Sequence, residues 1–304
     1  MKKEKKHIAP NEASLGRWIA TLVVNFPIAV LLIVPLGFCF SEYIEVTPER
    51  TFVIHGTILG LTCNEIVIDL AFCIIFLGMV IALKLVGKTS LKDFVLGVGG
   101  KINWKECLTI LGLYVAGMVI GYLPFLGYIR PQSVNPGEFA FQVLFLVLTV
   151  WMQTTWEELV FRGLLIRWAC KNKVGFTKKT LILAVATAVA FAVAHHANPE
   201  VTTQSGIRVA LAFSSYALTG LMFFLTDLYF GSLMPGIVIH WINNFLLSFL
   251  IGGEVSVVDT PKLLLDTTPH TGESMLISAT LVWLPLIVYM VLDYRKKKKT
   301  AASC

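Results

Sequence analysis

The chain has 304 residues, 56% hydrophobic and 14% charged, with 25 Lys and Arg against 19 Asp and Glu. Soluble domains carry about 25% charged residues, and here the deficit gathers in apolar runs long enough to cross a bilayer, which excludes a soluble globular protein. The net charge of +6 is no nucleic-acid signal either, because the basic residues flank those runs, as membrane topology requires.

From the N-terminus, Met1-Lys2-Lys3-Glu4-Lys5-Lys6 has the charge of a signal-peptide n-region. The apolar segment behind it is too long and lacks an A-x-A-type cleavage site, so it is expected to stay as a first membrane helix. Eight spanning segments are predicted, at 17–40, 57–86, 107–128, 138–170, 180–197, 207–230, 233–252 and 274–293. The expected fold is an all-α polytopic membrane bundle of about eight helices. No polar stretch reaches the ~50 residues of a separate soluble domain. Cys39, Cys63, Cys73, Cys107, Cys170 and Cys304 show no metal spacing, and at least four lie in apolar runs, where cysteine is a small hydrophobe.

Charge placement checks the count. With the N-terminus in the cytoplasm, the inside segments hold Lys2, Lys3, Lys5, Lys6 and Arg17, then Lys84, Lys88, Lys92, Lys101 and Lys105. They continue with Arg162, Arg167, Lys171, Lys173, Lys178 and Lys179, and end with Arg295 and Lys296 to Lys299. That is 21 of the 25 basic residues, leaving Arg50, Arg130, Arg208 and Lys262 outside. Such a bias predicts an even number of spans and both termini cytoplasmic, while the short loops and lysine-rich tails suggest a bacterial plasma membrane. The Arg295–Lys299 tail reads as a stop-transfer anchor against anionic headgroups.

Ionisable residues inside spans are costly and therefore mark candidate function. In Trp156-Glu157-Glu158-Leu159-Val160-Phe161-Arg162, Glu158 and Arg162 are i and i+4 and share a helix face. Glu157 turns about 100° away, without that partner, and is expected to face a cavity. His195-His196 closes the fifth span, and His240-Trp241-Ile242-Asn243-Asn244 lies in the seventh. Counted from a turn centred near Gly175, Glu157 is 18 residues before and His195 20 residues after. Both therefore fall at about the same depth, and His240 is shallower unless a loop dips into the membrane near Pro235-Gly236. Amide hydrolysis needs a base for water and donors for the oxyanion. Glu157, His195, His240 and Asn244 suit those tasks.

Glu-Glu-x-x-x-Arg, then Phe-x-x-x-His (Phe191 to His195), then His-x-x-x-Asn, in this order on the fourth, fifth and seventh predicted spans, resembles the CAAX-protease and bacteriocin-processing (CPBP, or Abi) family. It is similar to the type II CAAX prenyl endopeptidases in particular, over roughly residues 138–250. The resemblance implies an intramembrane endopeptidase in which Glu157 is the catalytic base and His195 helps to activate water. It further implies that His240 and Asn244 form the oxyanion hole and that Glu158 and Arg162 support the site, without a cofactor. On this reading residues 1–137 are N-terminal spans without family signature and 138–252 are the catalytic core, while 253–304 hold the last span and basic tail. The expected partners are the lipid bilayer and a peptide or membrane-protein substrate, with no nucleic acid.

Other readings stay open. Glu157, His195 and His240 also form a set that zinc accepts with an open fourth position, although no His-Glu-x-x-His is present. A catalytically silent immunity or scaffold protein would keep the fold, and a transporter would use Glu65, Asp69 and Glu157 as a relay. Asn64, Glu65 and Asp69 otherwise form a structural polar cluster near the outer interface. His196 reads as a bystander, and His7, His55 and His270 as solvated.

Overall fold

The computed structural model describes residues 14–46, 52–97, 100–170, 176–253, 260–268 and 271–302. Lys2, Lys3, Lys5, Lys6, His7, Arg50, Lys171, Lys173, the predicted turn at Gly175, His270 and Cys304 lie outside them. Twelve α-helices occur among the described residues: α1 Leu15–Cys39, α2 Cys63–Leu85, α3 Leu91–Leu96, α4 Trp104–Tyr122, α5 Pro136–Glu158 and α6 Leu164–Ala169. The rest are α7 Lys178–Ala194, α8 Pro199–Thr202, α9 Ile207–Phe230, α10 Met234–Phe249, α11 Thr271–Val282 and α12 Leu284–Ala302.

Local chemistry sets many of the starts. Ser14, Thr62, Ser90, Asn103 and Asn135 each accept a backbone N–H of the first turn that follows. Pro136 occupies a first-turn position of α5, where its missing N–H costs nothing. Thr177 and Thr180 form a reciprocal capping box at α7.

Six helical stretches are long and apolar enough to cross a membrane: Leu15–Cys39, Cys63–Leu85, Trp104–Tyr128, Pro136–Ala169, Ile207–Phe230 and Gly272–Thr300. Phe26, Leu31 and Phe38 project from α1 with more than 70% of their surface uncovered, as a lipid-facing helix demands. The predicted segments 180–197 and 233–252 are helical but shorter, with 17 residues in α7 and 16 in α10. The predicted segment 57–86 starts late, because Thr57–Ile58 and Leu61–Thr62 (β3 and β4) form a small hairpin before α2. The segment 274–293 is two helices, with Trp283 and Pro285 at the break; Pro285 supplies no N–H to continue the ladder.

The bundle has two distinct ends. At one, Arg167 donates to the carbonyls of Phe94 and Val95, and Leu233 N–H donates to Val95 O. Lys297 pairs with Asp293, which accepts from Tyr229, and Trp18 packs against Phe94. The basic segments gather there. At the other end, β5 (Ile129–Pro131), β7 (Leu264–Asp266) and β6 (Ile251–Gly253) form a three-stranded sheet in the order β5-β7-β6. β5 runs antiparallel and β6 parallel to β7. A short hairpin of β1 (Ile44–Val46) and β2 (Phe52–Ile54) precedes β3.

Packing is closest where glycine permits it. A Cβ at Gly117 of α4 would lie 2.0 Å from Val282 O of α11, so the two backbones meet directly. Tyr114, Phe223 and Trp283 pack edge to face beside that contact, with ring centroids 5.2 and 5.4 Å from Trp283.

Candidate active site

The α-helical ladder of α5 changes at Glu158. Residues Leu159–Gly163 form a π turn, closed by Leu164 N–H on Leu159 O, before α6 resumes. π turns insert one residue into a helix and often occur at functional sites. This one carries Glu157 and Glu158 on its N-terminal side and Arg162 within it.

Glu158 and Arg162 are fully buried and bonded, Arg162 Nη1 donating to Glu158 Oε1 at 2.5 Å. The pairing expected from the i, i+4 spacing is therefore present. The guanidinium also lies over Phe191 and Phe223, 4.6 and 4.9 Å from the ring centroids. The same Oε1 accepts from His240 Nδ1 at 2.7 Å. His240 comes from α10, 82 positions later in the chain, and is 2% exposed. Its other nitrogen, Nε2, is 3.8 Å from Glu157 Oε2, an ionic contact too long for a hydrogen bond. His240 is therefore interposed between two glutamates that are adjacent in sequence.

Glu157 departs from its predicted setting in two respects. It has neighbours, Gln153 Nε2 one turn earlier at 3.4 Å from its Oε1 as well as His240. It is also buried behind His240 and is not among the residues lining the cavity described below. Its Oε2 is buried and has no hydrogen-bond partner among the described residues.

His195 caps the C-terminus of α7, and its Nδ1 lies 2.7 Å from Phe191 O. A carbonyl only accepts, so Nδ1 is the donor and Nε2 of the neutral ring is left as an acceptor. The ring stacks on Tyr216 at 4.4 Å and touches Phe191 at 4.3 Å. His195 lies within electrostatic reach of Glu157, as the depth count from the sequence anticipated, and also of His240, which that count placed shallower. Phe191 is the shared wall, its ring against His195, His240, Phe161, Phe223 and the Arg162 guanidinium.

Pro235 and Gly236 lie in the first turn of a regular α10, so no loop at these two positions accounts for the depth of His240. Gly236 N–H donates to Asp227 Oδ1 at 2.9 Å. Asp227, buried at the end of α9, thus caps the helix that carries His240 and Asn244, and an anion at a helix N-terminus is favourable. A Cβ at Gly236 would sit 2.6 Å from that oxygen. Asn244 is oriented through its neighbour: Tyr114 Oη donates to Asn243 Oδ1 and Asn243 Nδ2 donates to Asn244 Oδ1, both at 2.9 Å. The Asn244 amide N–H groups are thereby left for other acceptors.

His195, His240, Asn243 and Asn244 line a cavity of about 560 Å3 walled by α4, α9, α10 and α11. Glu200 and Tyr216 stand at its side, with Tyr216 Oη donating to Glu200 at 2.5 Å and Asn198 Nδ2 bonding to both. The predicted residues thus form two layers, a buried ion cluster of Glu157, Glu158, Arg162 and His240 and a cavity that His240 reaches from it.

His196 is exposed, with Nδ1 bonded to Val193 O, and stays out of the cluster. His55 is exposed against Glu45. Asp69 accepts from Thr149 Oγ1 of α5 at 3.0 Å, two turns before Glu157, and so ties α2 to α5. Glu65 is buried one turn before Asp69. Among the described residues no group of three or more His, Cys, Asp or Glu side chains is arranged to hold a metal ion.

Gln153, Phe223, Asp227, Tyr114, Asn243 and Tyr216 escaped the sequence reading. Asp227 alone carried a signal there, a lone carboxylate inside an apolar run.

Residues 139–246 match the family described as "Type II CAAX prenyl endopeptidase Rce1-like". The chain is also 24% identical over 299 residues, 94% of each chain, to "Uncharacterized protein YyaK" of Bacillus subtilis (strain 168).

Proposed function

Because residues 139–246 match the Rce1-like, type II CAAX prenyl endopeptidase family, we propose that this multi-pass membrane protein hydrolyses peptide bonds within the bilayer. Glu157 activates the water, and eight crossings leave both termini in the cytoplasm of a bacterial cell. The observation that carries this reading is His240 held between Glu158 at 2.7 Å and Glu157 at 3.8 Å, at the edge of a cavity shared with His195 and Asn244.

The buried cluster balances when His240 is an imidazolium: two carboxylates face one guanidinium and one imidazolium, and an unbalanced charge here would be very costly. Glu158 accepts a hydrogen bond from His240 Nδ1–H, so Nε2–H is the donor available to a developing oxyanion. The Asn244 amide supplies the second donor. The bare Nε2 of His195 accepts a hydrogen bond from the water and orients it, and that proton stays on the water oxygen. Glu157 Oε2 takes the other proton as the water oxygen adds to the scissile carbonyl. Collapse of the tetrahedral adduct breaks the C–N bond, and Glu157 returns its proton to the departing amine. The products are a carboxylic acid and an amine, and every proton is accounted for. Glu158, Arg162 and Asp227 position these groups. No cofactor is needed for this sequence.

Comparative proteomics of cells carrying wild type or Glu157→Gln tests the proposal. The variant is expected to insert normally and to lose a cleavage product, with turnover of purified protein falling by ~10⁴-fold. Wild-type turnover by Glu157→Gln in detergent would refute the mechanism.

A further inference from the structure

The cavity has a direction. Its lining on α10 runs from His240 through Asn244 to Leu247, and it continues to Gly252, Gly253, Asp266 and Thr268 around the three-stranded sheet. On α9 it runs from Phe223 back to Ser215, and on α11 from Val282 back to Ser274. Every one of these paths leads from mid-bundle to the sheet end. No lining residue belongs to α3, α6 or α12, the elements of the basic end. Ten residues of helix separate His240 from Leu250, so the cavity extends about 15 Å from the ion cluster toward the sheet. An extended peptide of roughly four or five residues covers that distance.

The two ends of the bundle differ in charge. The basic end holds Lys84, Lys88, Lys92, Lys101 and Lys105, Lys178 and Lys179, and the run from Arg295 to Lys299. The sheet end holds Arg130, Arg208 and Lys262 among the described residues. Arg130 donates to Gly127 O, Arg208 pairs with Glu273 at 3.1 Å, and Lys262 donates to Thr260 O. Segments rich in Lys and Arg stay in the cytoplasm, which puts the sheet end of the cavity on the opposite side. None of the described lining residues is Lys or Arg, whereas two are the carboxylates Glu200 and Asp266. Away from His240, a free C-terminal carboxylate would find no Lys or Arg among the described lining residues and two carboxylates beside it. A neutral or basic internal stretch meets no such penalty.

We infer that the substrate is an internal segment of a peptide or membrane protein exposed on the extracytoplasmic side of the membrane, with neutral or basic residues flanking the scissile bond. This rests on the peptidase reading for the word substrate, but the direction and charge of the cavity are tested without it. The full chain carrying Ala279→Cys, which places a thiol in the cavity wall, is treated with membrane-impermeant cationic and anionic methanethiosulfonates. Right-side-out and inside-out membrane vesicles are compared, and mass spectrometry of the peptide containing position 279 separates this site from the native cysteines. Lys101→Cys marks the opposite face, and Met275→Cys repeats the measurement if Ala279→Cys fails to fold.

Position 279 is expected to react about tenfold or more faster in right-side-out vesicles, because a charged reagent does not cross the bilayer. The cationic reagent should react about threefold or more faster than the anionic one at low salt, and Asp266→Asn should reduce that ratio. Faster reaction in inside-out vesicles, with Lys101→Cys labelled in the same preparation, overturns the sidedness. A rate ratio favouring the anionic reagent overturns the charge preference. Cleavage that still depends on Glu157 would, in either case, leave the peptidase intact. Conversely, outside labelling with no Glu157-dependent cleavage would retain the orientation and remove the peptidase.

Discussion

Arg162→Ala is the perturbation whose consequences the structure defines most closely. Glu158 Oε1 accepts from Arg162 Nη1 at 2.5 Å and from His240 Nδ1 at 2.7 Å, and all three side chains are buried. Removing the guanidinium leaves the carboxylate with His240 alone. Breaking a buried ion pair from one side costs about 3–5 kcal/mol, because the remaining charge keeps its desolvation penalty. The guanidinium also leaves the faces of Phe191 and Phe223, contacts each worth up to ~2 kcal/mol when desolvated. The terms overlap, so a loss of at least ~3 kcal/mol is expected, a large share of the 5–15 kcal/mol that stabilises a typical protein. The assay is the monodisperse yield after detergent extraction, together with the thermal unfolding midpoint. Arg162→Met combined with Glu158→Gln removes both charges while retaining volume, and it should recover much of the yield but not the activity. A single variant within ~1 kcal/mol of wild type would refute the reasoning. So would a double variant no better folded than the single one.

The remaining predictions test chemistry and packing. His240→Ala should lower turnover by roughly 10²–10³-fold, the scale of one lost oxyanion donor, as measured on protein whose folding is verified by its elution profile. Purified protein treated with a chelator should keep its activity. One zinc per chain by elemental analysis, lost together with activity and restored with it, would instead make His195 and His240 ligands. Gly117→Ala should destabilise by about 1–3 kcal/mol, because its Cβ would stand 2.0 Å from Val282 O. Gly112→Ala on the same helix meets nothing within 4 Å and should be neutral or mildly stabilising in the same unfolding assay.

Much of the architecture was legible because membrane helices announce themselves locally. Each predicted span contains a helix, and the errors fall at ends and breaks. The hairpin before α2 was invisible because Ile58, Leu59 and Leu61 carry the apolar run up to the helix behind it, and strand pairing is what distinguishes the two. Trp283 and Pro285 interrupt the last predicted span, where hydropathy alone sees continuity. At the site, the Glu158–Arg162 pair follows directly from i, i+4 spacing. The setting of Glu157 does not, because an i, i+4 argument concerns one helix and His240 arrives from another.

The sequence by itself determined a polytopic membrane chain, its asymmetry of charge, and three polar motifs on the fourth, fifth and seventh apolar segments. All of these depend on composition and on neighbours within a turn or two. Tertiary structure alone decided that His240 divides the two glutamates and that Asn243 turns Asn244. It also decided that Asp227 anchors the start of α10, and that the cavity reaches His240 but not Glu157. Those facts depend on the register of α5, α9 and α10 against one another. That register is fixed by close glycine contacts and aromatic packing among residues far apart in the chain, and no local spacing encodes it.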